Sequence, residues 1–311
     1  MDKYDFINGG RPVRLSDSAL LSRYYQKAYD SMNPPVYLAE PAHAEMEAKR
    51  NIRYVIMPFG HDEMLVVYKV TRVMGADYVH VFDKPISISG DADAERKLIG
   101  DLKSGGVSFL VSEKYLDLHP GAVRKENYDN YYYDLEKDNR ERFSNGRWRR
   151  KSRASLLGTG EYRAVCTPNF NDIMPAAKFC REAWWSAKGQ EGKDIGWLHL
   201  LNTARLTNGE FMHYAIFHKD ACLAFSTDIV SNGYAVCIFC THIGRTPDAA
   251  PEGCDHRLVS NLDDCLRYVS GTWLLEHGIS REYCLGFGPG RNAVRRHKEA
   301  TCAGKIMYFV A

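Results

Sequence analysis

The chain has 311 residues, which is long for one hydrophobic core and suits two ordinary domains or one large α/β body. Apolar residues make up 45% and charged residues 26%, which excludes a disordered chain, and a net charge of +2 excludes a molecule that draws nucleic acid through its overall field. No apolar run reaches the roughly eighteen residues of a membrane span, and the polar start, with Asp2, Lys3 and Asp5, lacks the apolar core of a secretory signal.

In chain order, residues 20–32 carry apolar and aromatic side chains at helical spacing and stop before Pro34-Pro35. Residues 52–58, 64–74 and 78–82 read as strands, being rich in β-branched and aromatic residues. Residues 92–103 form a helix closed by Gly105-Gly106, and 107–112 return as a strand. Residues 131–135 read as a further strand. A strongly basic stretch follows, with Arg140, Arg142, Arg147, Arg149, Arg150, Lys151 and Arg153 against one acid, Glu141. The domain boundary is placed in it, at about 140–155, dividing the chain into 1–145 and 146–311.

The second half has its own order. Residues 170–188 form a helix and 196–206 a strand. Residues 211–218 and 221–230 make a hairpin about Lys219-Asp220. Residues 234–241 are a third, strongly apolar strand. After a loop with Gly244, Pro247, Pro251 and Gly253, residues 262–277 form a long helix ended by Gly278. A strand at 283–287, the turn Gly288-Pro289-Gly290, a short helix at 292–299 and a strand at 305–310 complete the chain. The nine cysteines, Cys166 to Cys302, are odd in number and sparse, which reads as reduced thiols in a cytoplasmic protein.

This order, with Glu276-His277-Gly278, Leu285-Gly286-Phe287-Gly288 and His297-Lys298 in it, resembles the GNAT acyltransferase superfamily. It is most similar to the branch with two tandem lobes, which includes FemAB-like aminoacyl transferases and lysylphosphatidylglycerol synthase-like domains. The resemblance implies an α/β fold of two GNAT-like lobes, each a mixed central sheet flanked by helices. It implies transfer of an acyl or aminoacyl group to an amine or hydroxyl, by positioning and oxyanion stabilisation in the C-terminal lobe. The sequence departs from the family at one place. No R/Q-x-x-G-x-G/A pyrophosphate loop precedes residue 262, where Ile243-Gly244-Arg245 and Gly253-Cys254-Asp255-His256-Arg257 stand instead. An aminoacylated donor, free or on tRNA, is therefore weighed beside acyl-CoA, and no cofactor is assigned.

The candidate residues follow from that chemistry. His297 suits the proton acceptor and Lys298 the oxyanion partner. Asp255 and His256 suit a base and its orienter, if a turn brings them together. Gly288, Gly290, Arg291 and Asn292 lie where a strand-to-helix turn presents backbone donors to a phosphate, with Arg295 and Arg296 adding charge. Arg147, Trp148, Arg149, Arg150, Lys151 and Arg153 combine phosphate contacts with a stacking surface for DNA or RNA; the plain alternative is a solvated linker helix. Cys237-x-x-Cys240, with His242, Cys254 and His256 beyond it, offers zinc-ligand types. Strict alternation along a strand sets 237 and 240 on opposite faces, so these are read as core thiols and no metal is expected. Two further readings stay open: a nucleic-acid base-modifying transferase, and a binding module that has lost its donor site.

Overall fold

In the computed structural model the described residues are 8–29, 32, 34, 52–126, 129–137, 155–187, 211–231, 233–243, 250–259, 261–284, 295–296, 298–299 and 302–311. In chain order the elements are β1 (Arg11–Pro12), α1 (Ser18–Ala28), β2 (Ile52–Phe59), β3 (Asp62–Val73), β4 (Ala76–Phe82), β5 (Ile86–Ser87), α2 (Ala92–Ser104), β6 (Ser108–Ser112), β7 (Val123–Arg124) and β8 (Asn130–Asp134). They continue with β9 (Tyr162–Thr167), α3 (Met174–Ala187), β10 (Phe211–His218), β11 (Ala221–Ser231), β12 (Tyr234–His242), α4 (Leu262–Glu276), β13 (Arg281–Cys284), β14 (Gly304–Ile306) and β15 (Tyr308–Val310). The fold is α/β, with two mixed sheets flanked by helices, as the resemblance implied.

The two sheets are built on one plan. In the first, ordered β1-β2-β3-β4-β6-β15-β7 with β5 on β3, an antiparallel meander β2-β3-β4 leads through α2 to the parallel strand β6. In the second, ordered β14-β8-β13-β12-β11-β10-β9, the meander β10-β11-β12 leads through α4 to the parallel strand β13. A parallel neighbour needs a crossover, and an amphipathic helix supplies it while covering one sheet face.

Each crossover helix follows from its sequence. On α2, Glu95, Leu98, Ile99 and Leu102 are buried at helical spacing. Asp91 caps it, its Oδ1 accepting from the backbone N–H of Asp93 (2.9 Å) and Ala94 (3.0 Å), and Gly106 ends it at φ 81°. On α4, Leu262, Cys265, Leu266, Val269 and Leu274 are buried, and Gly278 at φ 76° ends it.

The chain divides into two compact units. The first holds Met1–Tyr131 with the described residues of 295–299 and Gly304–Ala311; the second holds Tyr132–Cys284 with the described residues of 301–303. This differs from a simple split at 145/146. The reason is the last strand: β15 pairs with both β6 and β7, so the C-terminus completes the N-terminal sheet. Residues 138–154, with the whole basic stretch, lie outside the described residues. The single strand expected at 305–310 is two strands, β14 and β15, in different sheets. The strand expected at 196–206 lies outside the described residues, and β9 was not expected.

Candidate functional site

The site-bearing face belongs to the second sheet. Alternation along the strands, read through the pairings Tyr214↔Cys166, Tyr214↔Ser226, Asp228↔Cys237 and Cys237↔Cys284, puts Cys166, Tyr214, Asp228, Cys237 and Glu282 on one face. Helix α4 covers this face: the Trp273 ring meets the Tyr214 ring edge-on at 6.0 Å. Helix α3 covers the other, where the Arg181 guanidinium lies 4.9 Å over the Phe239 ring and the Cys180 thiol donates to the Leu223 carbonyl at 3.6 Å.

A cleft of about 430 Å³ opens between β9 and α4. Ala164 and Cys166 of β9 form one wall, Val269, Thr272 and Trp273 of α4 the other, and Glu276 stands at the end of the helix. Trp273 is fixed in place. Its ring stacks on His277 at 3.7 Å, whose Nδ1 lies 2.7 Å from the Trp273 carbonyl, and its other side meets Tyr214. The cleft thus pairs a rigid apolar body with one carboxylate, the composition of a small-molecule site.

Further along the same face lies a buried polar group that the sequence reading missed. Asp228 is 0% exposed and Glu282 5%. Among the described residues the Tyr214 hydroxyl has no hydrogen-bond partner and Asp228 has no donor other than the weak Cys237 thiol. Burial, and then the nearby Glu282, hold the Asp228 carboxyl well above the usual carboxylate range. Burial likewise raises the Tyr214 phenol, with Asp228 and Glu282 adding to it. A signal was present in the sequence: Asp228 is the one charged residue in the strand ACLAFSTDIVS.

A bulge corrects the reading of the cysteines. The β11–β12 register shifts between Thr227 and Asp228, so that Thr227 pairs with Phe239 and Asp228 with Cys237. The extra residue, Ile238, re-phases the strand. Cys240 pairs with Ser226, and Ser226 shares a face with Asp228. Cys237 and Cys240 therefore stand on the same face, not on opposite ones.

The other expected site residues are scattered. Asp255 precedes the helical turn His256–Val259, its carbonyl accepting from Leu258 (3.0 Å) and Val259 (3.1 Å), and its backbone N–H donates to the Tyr162 hydroxyl at 2.7 Å. His256 opens that turn. Lys298 lies in the first unit, its ammonium 5.7 Å from the centre of the Tyr131 ring. Arg295 is paired with Glu126 and, at 3.2 Å, with Glu299. His297, Gly288, Gly290, Arg291 and Asn292, and Arg147, Trp148, Arg149, Arg150, Lys151 and Arg153, lie outside the described residues. Among the described residues no helix is long and apolar enough to cross a membrane.

Two sheets on one plan, each with a meander, a crossover helix and a parallel strand, make a two-lobed α/β fold, and solved structures share it. The chain is similar to a conserved protein of unknown function from Bacteroides thetaiotaomicron (TM-score 0.62, 12% identity, 97% of this chain and 98% of that one). More particularly, it shares its fold with FemX (TM-score 0.59, 10% identity, 93% and 95% covered). It also shares it with L-PGS from Bacillus licheniformis (TM-score 0.54, 12% identity, 84% and 83% covered). No protein-family model matches the sequence. No curated protein sequence matches it either.

Proposed function

We propose that the protein is a transferase that moves an acyl or aminoacyl group from an activated donor to an amine or hydroxyl acceptor, with the second-unit cleft as its acceptor site. The observation that supports this most directly is the cleft itself. Its apolar walls offer a surface to the hydrocarbon part of an acceptor, and the Glu276 carboxylate at its rim attracts a protonated amine. The fold shared with FemX and L-PGS agrees with such a reaction.

The reaction needs little from the protein beyond position. The acceptor nitrogen or oxygen attacks the donor carbonyl, its proton passes to a base, and the leaving group departs with the bonding pair. Asp255 and His256, which belong to the unit that holds the cleft, are proposed as that base and its orienter. The alternative has His297 as the base and Lys298 as the partner of the developing oxyanion, with Gly288, Gly290, Arg291 and Asn292 holding the donor, and does not use the cleft.

The test is turnover and thermal stabilisation against a panel of acyl-CoA thioesters, aminoacyl adenylates and aminoacyl-tRNA, repeated on two variants. Ala164→Phe fills the cleft from an exposed strand position; Lys298→Ala removes the proposed oxyanion partner. Ala164→Phe is expected to lower turnover at least about tenfold, the size of one lost positioning contact, and Lys298→Ala to leave it unchanged; the reverse pattern would favour the His297 and Lys298 alternative. Turnover unchanged by Ala164→Phe would place the acceptor elsewhere, and a panel with no active or stabilising donor would refute the transferase reading.

A further inference from the structure

Asp228, Cys237 and Glu282 converge beneath α4 from the three neighbouring strands β11, β12 and β13. One donor atom from each lies within 4.8 Å of the other two. The register explains the convergence. Asp228 sits directly opposite Cys237, Cys237 directly opposite Cys284, and Glu282 precedes Cys284 by one period of the strand. The bulge at Ile238 also turns Cys240 toward this face.

A buried carboxyl group needs a proton, a donor or a cation. Asp228 is fully buried, and among the described residues it has no ion pair and no hydrogen-bond donor other than the weak Cys237 thiol. The Cys237 thiol reaches two acceptors, the Phe239 carbonyl at 3.6 Å and the Asp228 carboxylate. The group thus presents two carboxyl oxygens and a sulfur to one small volume. Oxygens alone would suit magnesium or calcium; the sulfur shifts the preference toward a softer divalent ion. Tetrahedral zinc, with bonds of about 2.0–2.3 Å, sets its donor atoms roughly 3.5 Å apart. The observed separations need to close by only about an ångström to match.

We propose that Asp228, Cys237 and Glu282 are ligands of a divalent transition-metal ion of the zinc class, with a fourth position left open. This site is independent of the transfer reaction and is tested without any donor. The full-length protein, stripped with chelator and dialysed, is titrated with cobalt(II). The expected result is a thiolate-to-cobalt charge-transfer band that saturates at one equivalent and is displaced by zinc. Cys237→Ser should remove the band while the circular dichroism stays that of the wild type. Asp228→Asn should weaken cobalt binding at least about tenfold and abolish the rise in melting temperature that zinc gives the wild type.

Absence of a band in the wild type would overturn the proposal, as would a band that survives Cys237→Ser, since another of the nine thiols would then be the ligand. If the two acids merely share a proton, Asp228→Asn melts higher than the wild type whether or not zinc is present, and the proposal fails. Should Cys237→Ser not fold, the wild-type titration together with Glu282→Gln decides the question: cobalt binding that Glu282→Gln leaves unchanged refutes the site.

Discussion

His213 should make the second unit lose stability in acid, and a substitution can isolate the effect. The ring is fully buried on β10, edge-on to Phe170 at 4.9 Å and stacked on Phe211 at 6.2 Å. Its Nδ1 lies 2.9 Å from the Thr227 hydroxyl, and its Nε2 has no partner among the described residues. Burial lowers its pKa from 6.5 to about 4. The folded protein therefore resists a proton that the unfolded chain accepts below pH 6.5. Stability from this residue is fully present above that pH and is lost as the pH falls toward 4. At 1.36 kcal/mol per pH unit the loss is about 2 kcal/mol between pH 7 and pH 5, and about 3 kcal/mol by pH 4. His213→Asn places an amide where Nδ1 meets Thr227 and removes the titration. Lost packing against Phe170 adds a constant offset at every pH, so the slope is the readout. Urea denaturation of both proteins from pH 7 to pH 4.5, followed by tryptophan fluorescence, should show the wild type approaching and then passing the variant as the medium acidifies, if the offset is smaller than the titration term. Parallel profiles would refute the reasoning, because they would mean that the ring is protonated equally in both states.

Three further predictions concern the first unit. Asp83, fully buried, accepts hydrogen bonds from the Tyr29 hydroxyl (2.9 Å) and the Ser112 amide (2.6 Å), yet burial raises its carboxyl to about 6. The folded state then holds a proton that the unfolded chain releases, so stability from this group falls as the pH rises from about 4 to 6, by roughly 3 kcal/mol; Asp83→Asn should flatten that part of a denaturation-versus-pH profile. Asp91→Ala removes the cap of α2 and should cost about 1 kcal/mol in a urea midpoint series, with Asp91→Asn recovering most of it. Deleting Tyr308–Ala311 removes the strand between β6 and β7 together with the fully buried Tyr308. Hydrogen exchange should then show lost protection in β6, and unchanged protection there would mean that β15 is dispensable.

The crossover helices were legible in the sequence because they carry their own punctuation. Residues 92–104 and 262–276 show apolar spacing that ends at glycines the structure places at positive φ, and the hairpin turns at Lys219, φ 53°, where it was expected. What the sequence hid is what depends on a partner strand. The edge strand β9 buries only Tyr162 and Thr167 at its two ends, so it offers no alternation to read. The stretch 304–310 carries an unbroken apolar run from Ile306 to Val310, with Ile306 and Tyr308 both buried, although the chain leaves one sheet for the other between them; an apolar run says that a strand exists and nothing about which strand it joins. The bulge at Ile238 has the same character. It is a mismatch of count between β11 and β12, invisible in either strand alone, and it reverses the predicted facing of Cys237 and Cys240. Asp228 differs, since an acid in the middle of an apolar strand is visible in the sequence itself. Its neighbours became known only once the register set Cys237 and Glu282 beside it, so a metal site built across three strands is the kind of site that motif spacing along one strand is least able to reveal.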